Sequence, residues 1–250
     1  MTLGESLAVF VAGIGAGTIN TIVGSGTLIT FPTLLAVGYP PVLANVTNTV
    51  GLVPGSVSGA YGYRRELEGQ RVRLLRLGSA SLLGGITGAL LLLRLPAEAF
   101  QRIVPVLIGV GCVLVLAQPW ISRHIHPRPD APPHGSWWVW LLVYATGIYG
   151  GYFGAAQGIL LIAIMGIGMT DSLQRINAAK NVLAGLVNGI AALIFMVVSD
   201  VAWMAAGFIA AGAIGGGVIG ATVGRRLPAS VLRGVVALVG LVAIWQLTRG

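Results

Sequence analysis

Charged residues are scarce in this sequence, and acidic residues are the scarcest. Only 9% of the 250 residues are charged, with 7 Asp and Glu against 15 Lys and Arg, whereas a soluble domain carries about 25% charged residues. From Ser6 to Tyr63, the chain has no Asp, Glu, Lys, Arg or His over 58 residues. Because about 20 residues cross a bilayer as a helix, this run must hold several membrane elements. The composition excludes a soluble, nucleic-acid-binding or disordered protein and predicts an all-α polytopic membrane protein.

Cysteine is nearly absent, and histidine is confined to one place. The single cysteine, Cys112, lies in an apolar run, so the chain has neither a disulfide framework nor a CxxC metal site. His124, His126 and His134 all lie in the proline-rich segment 119–136, which we interpret as a solvated linker rather than a metal site. We therefore expect no metal and no cofactor.

Glycine, in contrast, is abundant, at 38 of 250 residues. In membranes, small residues let helices approach closely, and glycine also permits broken helices. Charges and prolines divide the chain into apolar elements. We predict helices at 5–22, 27–37, 41–61, 77–95, 102–118, 137–153, 158–169, 173–198, 201–224 and 231–248.

Two of these elements, 27–37 and 158–169, are too short to span about 30 Å at roughly 1.5 Å per residue. Each follows a glycine-rich stretch and precedes a longer helix that carries polar residues. Short, glycine-interrupted segments in corresponding places are the best indication in a sequence of a transporter's central site.

The order of these features occurs twice. In the first half, GIGAGTINTIVGSGTLITFPTLL precedes ANVTNTVGLVPGSVSGA, and in the second half GIYGGYFGAAQGILLIAIMGI precedes NAAKNVLAGLVNGIAAL. We interpret the two copies as a duplication. Aligning Gly26 with Gly158 pairs Ser25 with Gln157, and a short gap further on pairs Thr47 with Lys180 and Asn48 with Asn181.

The duplication divides the chain into a first half, 1–118, a cytoplasmic linker, 119–136, and a second half, 137–250. Each half has five elements, and an odd number turns the second half upside down in the membrane. We therefore predict an inverted repeat with glycine-broken or re-entrant short helices.

The basic residues predict the orientation in the membrane. The strongest cluster follows the third element, and basic loops are typically cytoplasmic. With this loop in the cytoplasm, both ends of the chain are expected outside it. The cluster consists of Arg64, Arg65, Arg71, Arg73 and Arg76.

Polar residues within membrane segments are costly and indicate functional positions. The candidates lie at the two glycine breaks and early in the helix that follows each short element. They are Asn20, Thr21, Gly24, Ser25, Gly26, Asn45, Thr47 and Asn48 in the first half, and Gln157, Gly158, Asn177, Lys180 and Asn181 in the second. Inversion would bring these groups together near the midplane, where helices that start at a break direct backbone N–H groups inward. With many donors and no acid, such a site suits an anion.

Lys180 has two interpretations. Its long side chain either reaches the cytoplasmic interface or faces the site as a cation paired with a bound anion, and we favour the second. For the asparagines and threonines, the alternative is hydrogen bonding between helices, worth about 0.6 kcal/mol each.

The segments GSGTLITFPTLLAVG and ANVTNT, together with the second copy, resemble the TauE/SafE family of sulfite-exporter-like permeases over nearly the whole chain. The resemblance implies a transporter of the bacterial inner membrane that exports small sulfur-containing anions such as sulfite, sulfoacetate or related sulfonates. It also implies that the glycine breaks and the small polar segment are the family's motifs. The second break departs from the family because it reads GAAQG, and Lys180 stands where Thr or Ser is more typical.

We therefore expect a transporter that works by alternating access, with a small anion as substrate, the lipid bilayer as its surroundings and no nucleic-acid partner. The alternatives are an anion channel and a membrane assembly factor that does not transport. We do not expect an enzyme, because no histidine lies in a membrane segment to activate Ser25. The anion, the coupling ion, the direction of transport and the oligomeric state are left open.

Overall fold

The computed structural model describes residues 1–124, 132–222 and 229–249. Within these ranges the chain consists of helices and the turns between them, without a strand, which confirms the all-α prediction. The helices are α1 (Leu3–Ile22), α2 (Thr27–Ala36), α3 (Pro41–Gly62), α4 (Arg71–Arg94), α5 (Ala97–His124), α6 (Trp137–Tyr152), α7 (Gln157–Gly168), α8 (Leu173–Val198), α9 (Trp203–Thr222) and α10 (Ala229–Arg249).

Five helices in the described ranges are long and apolar enough to cross a membrane, namely α1, α4, α5, α8 and α9. The protein is therefore a polytopic α-helical membrane protein. As predicted, α2 and α7 are short, at 10 and 12 residues, and cannot span a bilayer at about 1.5 Å per residue.

Two helices, α4 and α5, extend by about a turn or more beyond their predicted bounds. α4 begins at Arg71 rather than at 77. Its first turns stay helical although they carry arginines, because Arg73 and Arg76 donate to the carbonyl oxygens of Pro133 and Gly135 in the segment before α6. α5 continues through Pro119 to His124. The first residues of the predicted linker 119–136 are therefore helical, and 125–131, which include His126, lie outside the described residues.

Helices of the two predicted halves pack in a reciprocal pattern. Each helix of the first half has as its counterpart the helix in the same position of the second half, so that α6 is the counterpart of α1 and α9 that of α4. α1 packs on α9, and α6 packs on α4. In the same way, α3 packs on α9 while α8 packs on α4, and α3 and α8 also contact each other. Exchanging each helix for its counterpart leaves the pattern unchanged, as a duplicated chain would require. The opposite orientation of the two halves stays a prediction.

Small residues make this packing possible. A Cβ atom on Gly17 of α1 would lie 2.8 Å from Cα of Ala213 on α9, and one on Gly88 of α4 would lie 2.8 Å from the backbone N of Tyr152. Neither distance leaves room for a side chain, so glycine lets the backbones approach closely, as is common in membrane bundles.

The main apolar core surrounds the two helix breaks. Phe31 of α2 packs edge-to-face on Phe153, which directly follows α6, with ring centroids 5.2 Å apart. Phe100 of α5 packs on Phe153 at 6.2 Å. All three rings are buried, and aromatic pairs in such geometry hold each other in place. This cluster connects the short helix of the first half to the break of the second.

Candidate functional site

Each break is a short turn that contains a glycine in the left-handed region. α1 ends at Ile22, and Gly24 follows with φ 88°, whereas α6 ends at Tyr152, and Gly154 follows with φ 77°. A residue with a Cβ atom rarely adopts this conformation, so glycine is favoured at both positions. The turns redirect the chain into α2 and α7.

The two breaks are in direct contact. The backbone N–H of Gly158, in the first turn of α7, donates to the carbonyl oxygen of Gly24 at 3.1 Å. A Cβ atom on Gly158 would lie 2.5 Å from Cα of Gly24. Any side chain at Gly158 would therefore separate the breaks. Gly26 allows a second close approach, between α2 and α1. A Cβ atom on Gly26 would lie 2.6 Å from the carbonyl oxygen of Ala16, so only glycine leaves room for α2 to fold back on α1.

Lys180 on α8 is fully buried, at 0% exposure, so the interpretation that it reaches the interface is wrong. Its Nζ donates to the carbonyl oxygens of Asn20 at 2.9 Å and Thr21 at 3.1 Å. Both carbonyls belong to the last turn of α1, where carbonyl groups lack partners within the helix and form the negative end of its dipole. Lys180 therefore caps the broken helix. An ammonium group has three N–H donors, so one N–H remains for a ligand.

Two asparagines on α8 contact the same helix end. Nδ2 of Asn177 donates to the Thr21 carbonyl oxygen at 3.4 Å, and Nδ2 of Asn181 donates to it at 3.3 Å. Together with Lys180, α8 therefore directs three side-chain donors at one carbonyl group. Oδ1 of Asn177 is buried and has no partner.

Asn45 on α3 makes the corresponding contact with the other break. Its Nδ2 donates to the carbonyl oxygen of Tyr152, at the end of α6, at 2.9 Å, and its Oδ1 is buried without a partner. Asn45 and Asn177 are each four residues beyond the first residue of their helix. Each polar helix thus caps the broken helix of the other half.

This geometry corrects the predicted pairing of the two copies. Counted from the start of α3 and of α8, Asn48 corresponds to Lys180 rather than to Asn181. The difference arises from the gap, because Gly26 and Gly158 have the same separation in the sequence as Asn48 and Lys180. The alignment of Gly26 with Gly158 therefore extends to the polar helices without a gap.

Asn48 connects α3 to the short helix α2. Its Nδ2 donates to Oγ1 of Thr27 at 3.3 Å, and its Oδ1 accepts a hydrogen bond from Oγ1 of Thr30. The sequence interpretation missed both threonines. Their spacing of three residues, which places them on one face of α2, is the signal that could have found them.

Thr47 does not join the other candidates. Its Oγ1 accepts a hydrogen bond from the backbone N–H of Ala202, just before α9, at 3.1 Å, so it supports the packing of α9. Asn20 donates through Nδ2 to Oγ of Ser56 at 3.4 Å, and Ser56 is a further polar residue that the sequence interpretation missed.

Unpartnered buried polar atoms are concentrated at the breaks. Oγ of Ser25 and Nε2 of Gln157 lack hydrogen-bond partners, as do the Oδ1 atoms of Asn45 and Asn177. A buried polar atom without a partner costs roughly 1–3 kcal/mol. Ser25 and Gln157 supply donors, and they are next in sequence to Gly24 and Gly158, whose backbones are in contact, so free hydrogen-bonding capacity lies at the breaks.

An ion pair links the two halves outside this region. Asp171, between α7 and α8, contacts Nη1 of Arg73 at 2.6 Å and Nε of Arg175 at 3.0 Å. Burial raises the pKa of Asp171, but hydrogen bonds from Arg73, the Ser172 N–H and Arg175 outweigh it and hold the pKa below its usual value. Arg73 also donates to the Pro133 carbonyl oxygen at 2.7 Å, which connects α4 to the segment before α6.

Two broken helices that meet in the interior of an apolar helical bundle, each followed by a polar helix, form an arrangement typical of membrane transporters. Residues 9–247 match the family described as sulfite exporter TauE/SafE. The chain belongs to the TauE/SafE family, which confirms the resemblance seen in the sequence.

Relatives from several bacteria carry transporter names. The chain is 28% identical over 207 residues to the probable membrane transporter protein YfcA of Escherichia coli strain K12. The aligned region covers 78% of this chain and 71% of that relative. The probable membrane transporter protein ORF9 of Sinorhizobium sp. is 30% identical over 152 residues, or 60% of this chain and 56% of the relative. A probable membrane transporter protein of Haemophilus influenzae is 27% identical over 154 residues, or 61% and 58%. These names state the class of protein and no substrate.

Proposed function

We propose that this protein exports small sulfur-containing anions, such as sulfite, sulfoacetate or related sulfonates, across the inner membrane of a bacterium. Membership of the TauE/SafE family supports the class of protein. The observation that carries the choice of an anion is Lys180, a buried cation beside the contact between the breaks.

The distribution of charge around the site favours the same choice. In the described residues, the carboxylates lie near helix ends or in loops, as with Glu5 and Glu98 in first helical turns and Asp171 and Asp200 between helices. No carboxylate among the site residues neutralises Lys180, because its described partners are backbone carbonyl groups. A bound anion would supply the missing negative charge and accept from Ser25 and Gln157.

The contact between the breaks also supports alternating access. A single backbone hydrogen bond joins Gly158 to Gly24, and neither residue has a side chain that interlocks with the other. Opening the contact between the two glycines breaks one hydrogen bond, about 0.5–1.5 kcal/mol, and the caps that Lys180 and Asn45 place on the broken helices must be released as well. In this mechanism both chain termini lie outside the cytoplasm, and 1–118 and 137–250 each contribute one break and one polar helix to the site.

A thermal-shift screen of the purified protein tests the proposal. Sulfite and sulfoacetate at increasing concentration should raise Tm, because a ligand that binds only the native state stabilises it by about 2.7 kcal/mol at a hundredfold excess over Kd. Chloride at the same ionic strength is the control and should give no comparable shift. Equal responses to chloride and to all sulfur-containing anions would contradict the proposal.

A further inference from the structure

A cavity of about 420 Å³ lies between α3 and α8. Ser56 and Asn181 are part of its wall, and both also contact the last turn of α1. Oγ of Ser56 accepts from Asn20 at 3.4 Å, and Nδ2 of Asn181 donates to the Thr21 carbonyl oxygen at 3.3 Å. The cavity wall therefore includes two residues that contact the same helix end as Lys180.

Arg64 lies at another part of the same cavity. It follows the end of α3 in the basic loop and is exposed. Its guanidinium group lies over the ring of Tyr61, 4.5 Å from the centroid, and its Nη1 donates to the Tyr61 carbonyl oxygen at 3.3 Å. In the described residues, the partners of the Arg64 guanidinium are the ring and the carbonyl oxygen of Tyr61, and neither is a carboxylate.

The remaining wall is apolar and carries no acidic residue. It consists of Val57, Ala60, Tyr61, Leu67, Val182, Gly185 and Leu186. A cleft with one sign of charge and low-dielectric walls concentrates the field and raises the local concentration of ions of opposite charge. The apolar walls would also contact the hydrocarbon part of an organic anion, which an inorganic anion lacks.

We propose that this cavity is a vestibule in which Arg64 captures small organic anions, such as alkyl sulfonates, before they reach the breaks. This inference rests on the proposed function and deepens it, because it assigns an access route and a preference for organic over inorganic anions. Tyr61 positions Arg64, and Ser56 and Asn181 form the end of the vestibule nearest to the breaks.

Arg64→Gln tests the vestibule, and Arg65→Gln is the matched control, because Arg65 is the next residue in the same loop and is not part of the cavity wall. Flux of labelled sulfoacetate is measured in phosphatidylcholine liposomes. Arg64→Gln should raise KM roughly tenfold, the low end of the gain that charge focusing gives, and leave kcat within about twofold of the native value. Arg65→Gln should change neither constant.

Salt and substrate provide two further readouts. The difference in KM between the native protein and Arg64→Gln should shrink at about 1 M salt, where the Debye length falls to about 3 Å. The native protein should also have a lower KM for sulfoacetate than for sulfite. Equal KM values for Arg64→Gln and Arg65→Gln, or a loss confined to kcat, would overturn the vestibule.

An anionic lipid headgroup offers Arg64 the same chemistry as a free sulfonate, so a second set of liposomes contains phosphatidylglycerol. If Arg64 holds a lipid, phosphatidylglycerol stabilises the native protein but not Arg64→Gln, and KM is the same for both in phosphatidylcholine. That result overturns the inference while leaving the proposed function intact. If the native protein moves no anion faster than empty liposomes, the proposed function fails, and the vestibule fails with it.

Discussion

At the scale of single residues, the site is organised by side chains that cap helix ends in the other half of the chain. Lys180 and Asn177 bind the end of α1, and Asn45 binds the end of α6. These contacts use backbone carbonyl groups that a broken helix leaves without partners. The hydrogen-bonding capacity that remains, at Ser25 and Gln157 above all, is available to a ligand.

Ser25→Ala separates binding from stability. Because Oγ of Ser25 has no partner in the protein, its removal should leave the Tm without ligand unchanged or slightly higher. Loss of a hydrogen bond to a charged ligand, about 1.5–3 kcal/mol, should weaken sulfonate binding by about 10- to 100-fold. The measurement is the anion-dependent shift in Tm.

Ser81→Ala is the matched control for this substitution. Ser81 is also fully buried with an unpartnered Oγ, but it lies on α4, away from the breaks. Ser81→Ala should bind the anion as the native protein does. If Ser25→Ala and Ser81→Ala give the same response to sulfonates, Ser25 does not contact the substrate.

The sequence indicated which polar residues lie at the breaks, but it did not predict which groups these residues form hydrogen bonds with. Intramembrane polarity alone indicated Lys180, Asn177 and Asn181. Their hydrogen bonds to Thr21 depend on where α1 ends relative to α8, which is a tertiary property. Thr47 was assigned to the site with Asn48, but neighbouring residues on a helix point in different directions, and Thr47 contacts Ala202 instead.

At the scale of elements, hydropathy and glycine predicted the helices closely, including both short ones. Charged residues and proline do not mark the helix boundaries at the start of α4 and the end of α5, where the predicted bounds are therefore wrong. α4 keeps its arginines because their side chains bind groups outside the helix, as Arg73 does with Asp171 and Pro133. Those partners are distant in sequence, so no local pattern predicts them.

The Asp171 ion pair predicts a specific pH dependence. Because the pKa of Asp171 is lower in the folded protein than its usual 3.8, the ion pair contributes stability above that value. The contribution is lost as the pH falls below 3.8 towards the lower folded pKa. Asp171→Asn should therefore lower Tm near pH 7 and remove part of the fall in Tm on acidification. The measurement is Tm as a function of pH in detergent.

Asp200→Asn is the control, since Asp200 is an exposed aspartate between α8 and α9 that forms neither of the ion pairs found in the described residues. Its Tm profile should follow that of the native protein. Coincident profiles for Asp171→Asn and the native protein would show that the link between α4 and the α7–α8 turn contributes no measurable stability.

At the scale of the whole molecule, the two halves depend on each other for both packing and the site. α1 packs on α9, α6 packs on α4, and each polar helix caps a helix of the other half. The repeated order of sequence features predicted a meeting of the two breaks and the two polar helices, but not the packing of α1 on α9 or of α6 on α4. Orientation in the membrane is not encoded in these contacts, so the inverted relation of the halves rests on the odd number of elements and on the basic loop.

Exchange of labelled sulfoacetate across proteoliposomes tests the central claim most directly. The native protein should exchange the label faster than empty liposomes, and unlabelled sulfoacetate on the opposite side should accelerate the exchange, as a carrier requires and a pore does not. Lys180→Met should abolish this exchange although the protein still inserts and purifies, whereas Ser81→Ala should retain it. Exchange no faster than in empty liposomes, or equal exchange by Lys180→Met and the native protein, would contradict anion transport around the buried lysine.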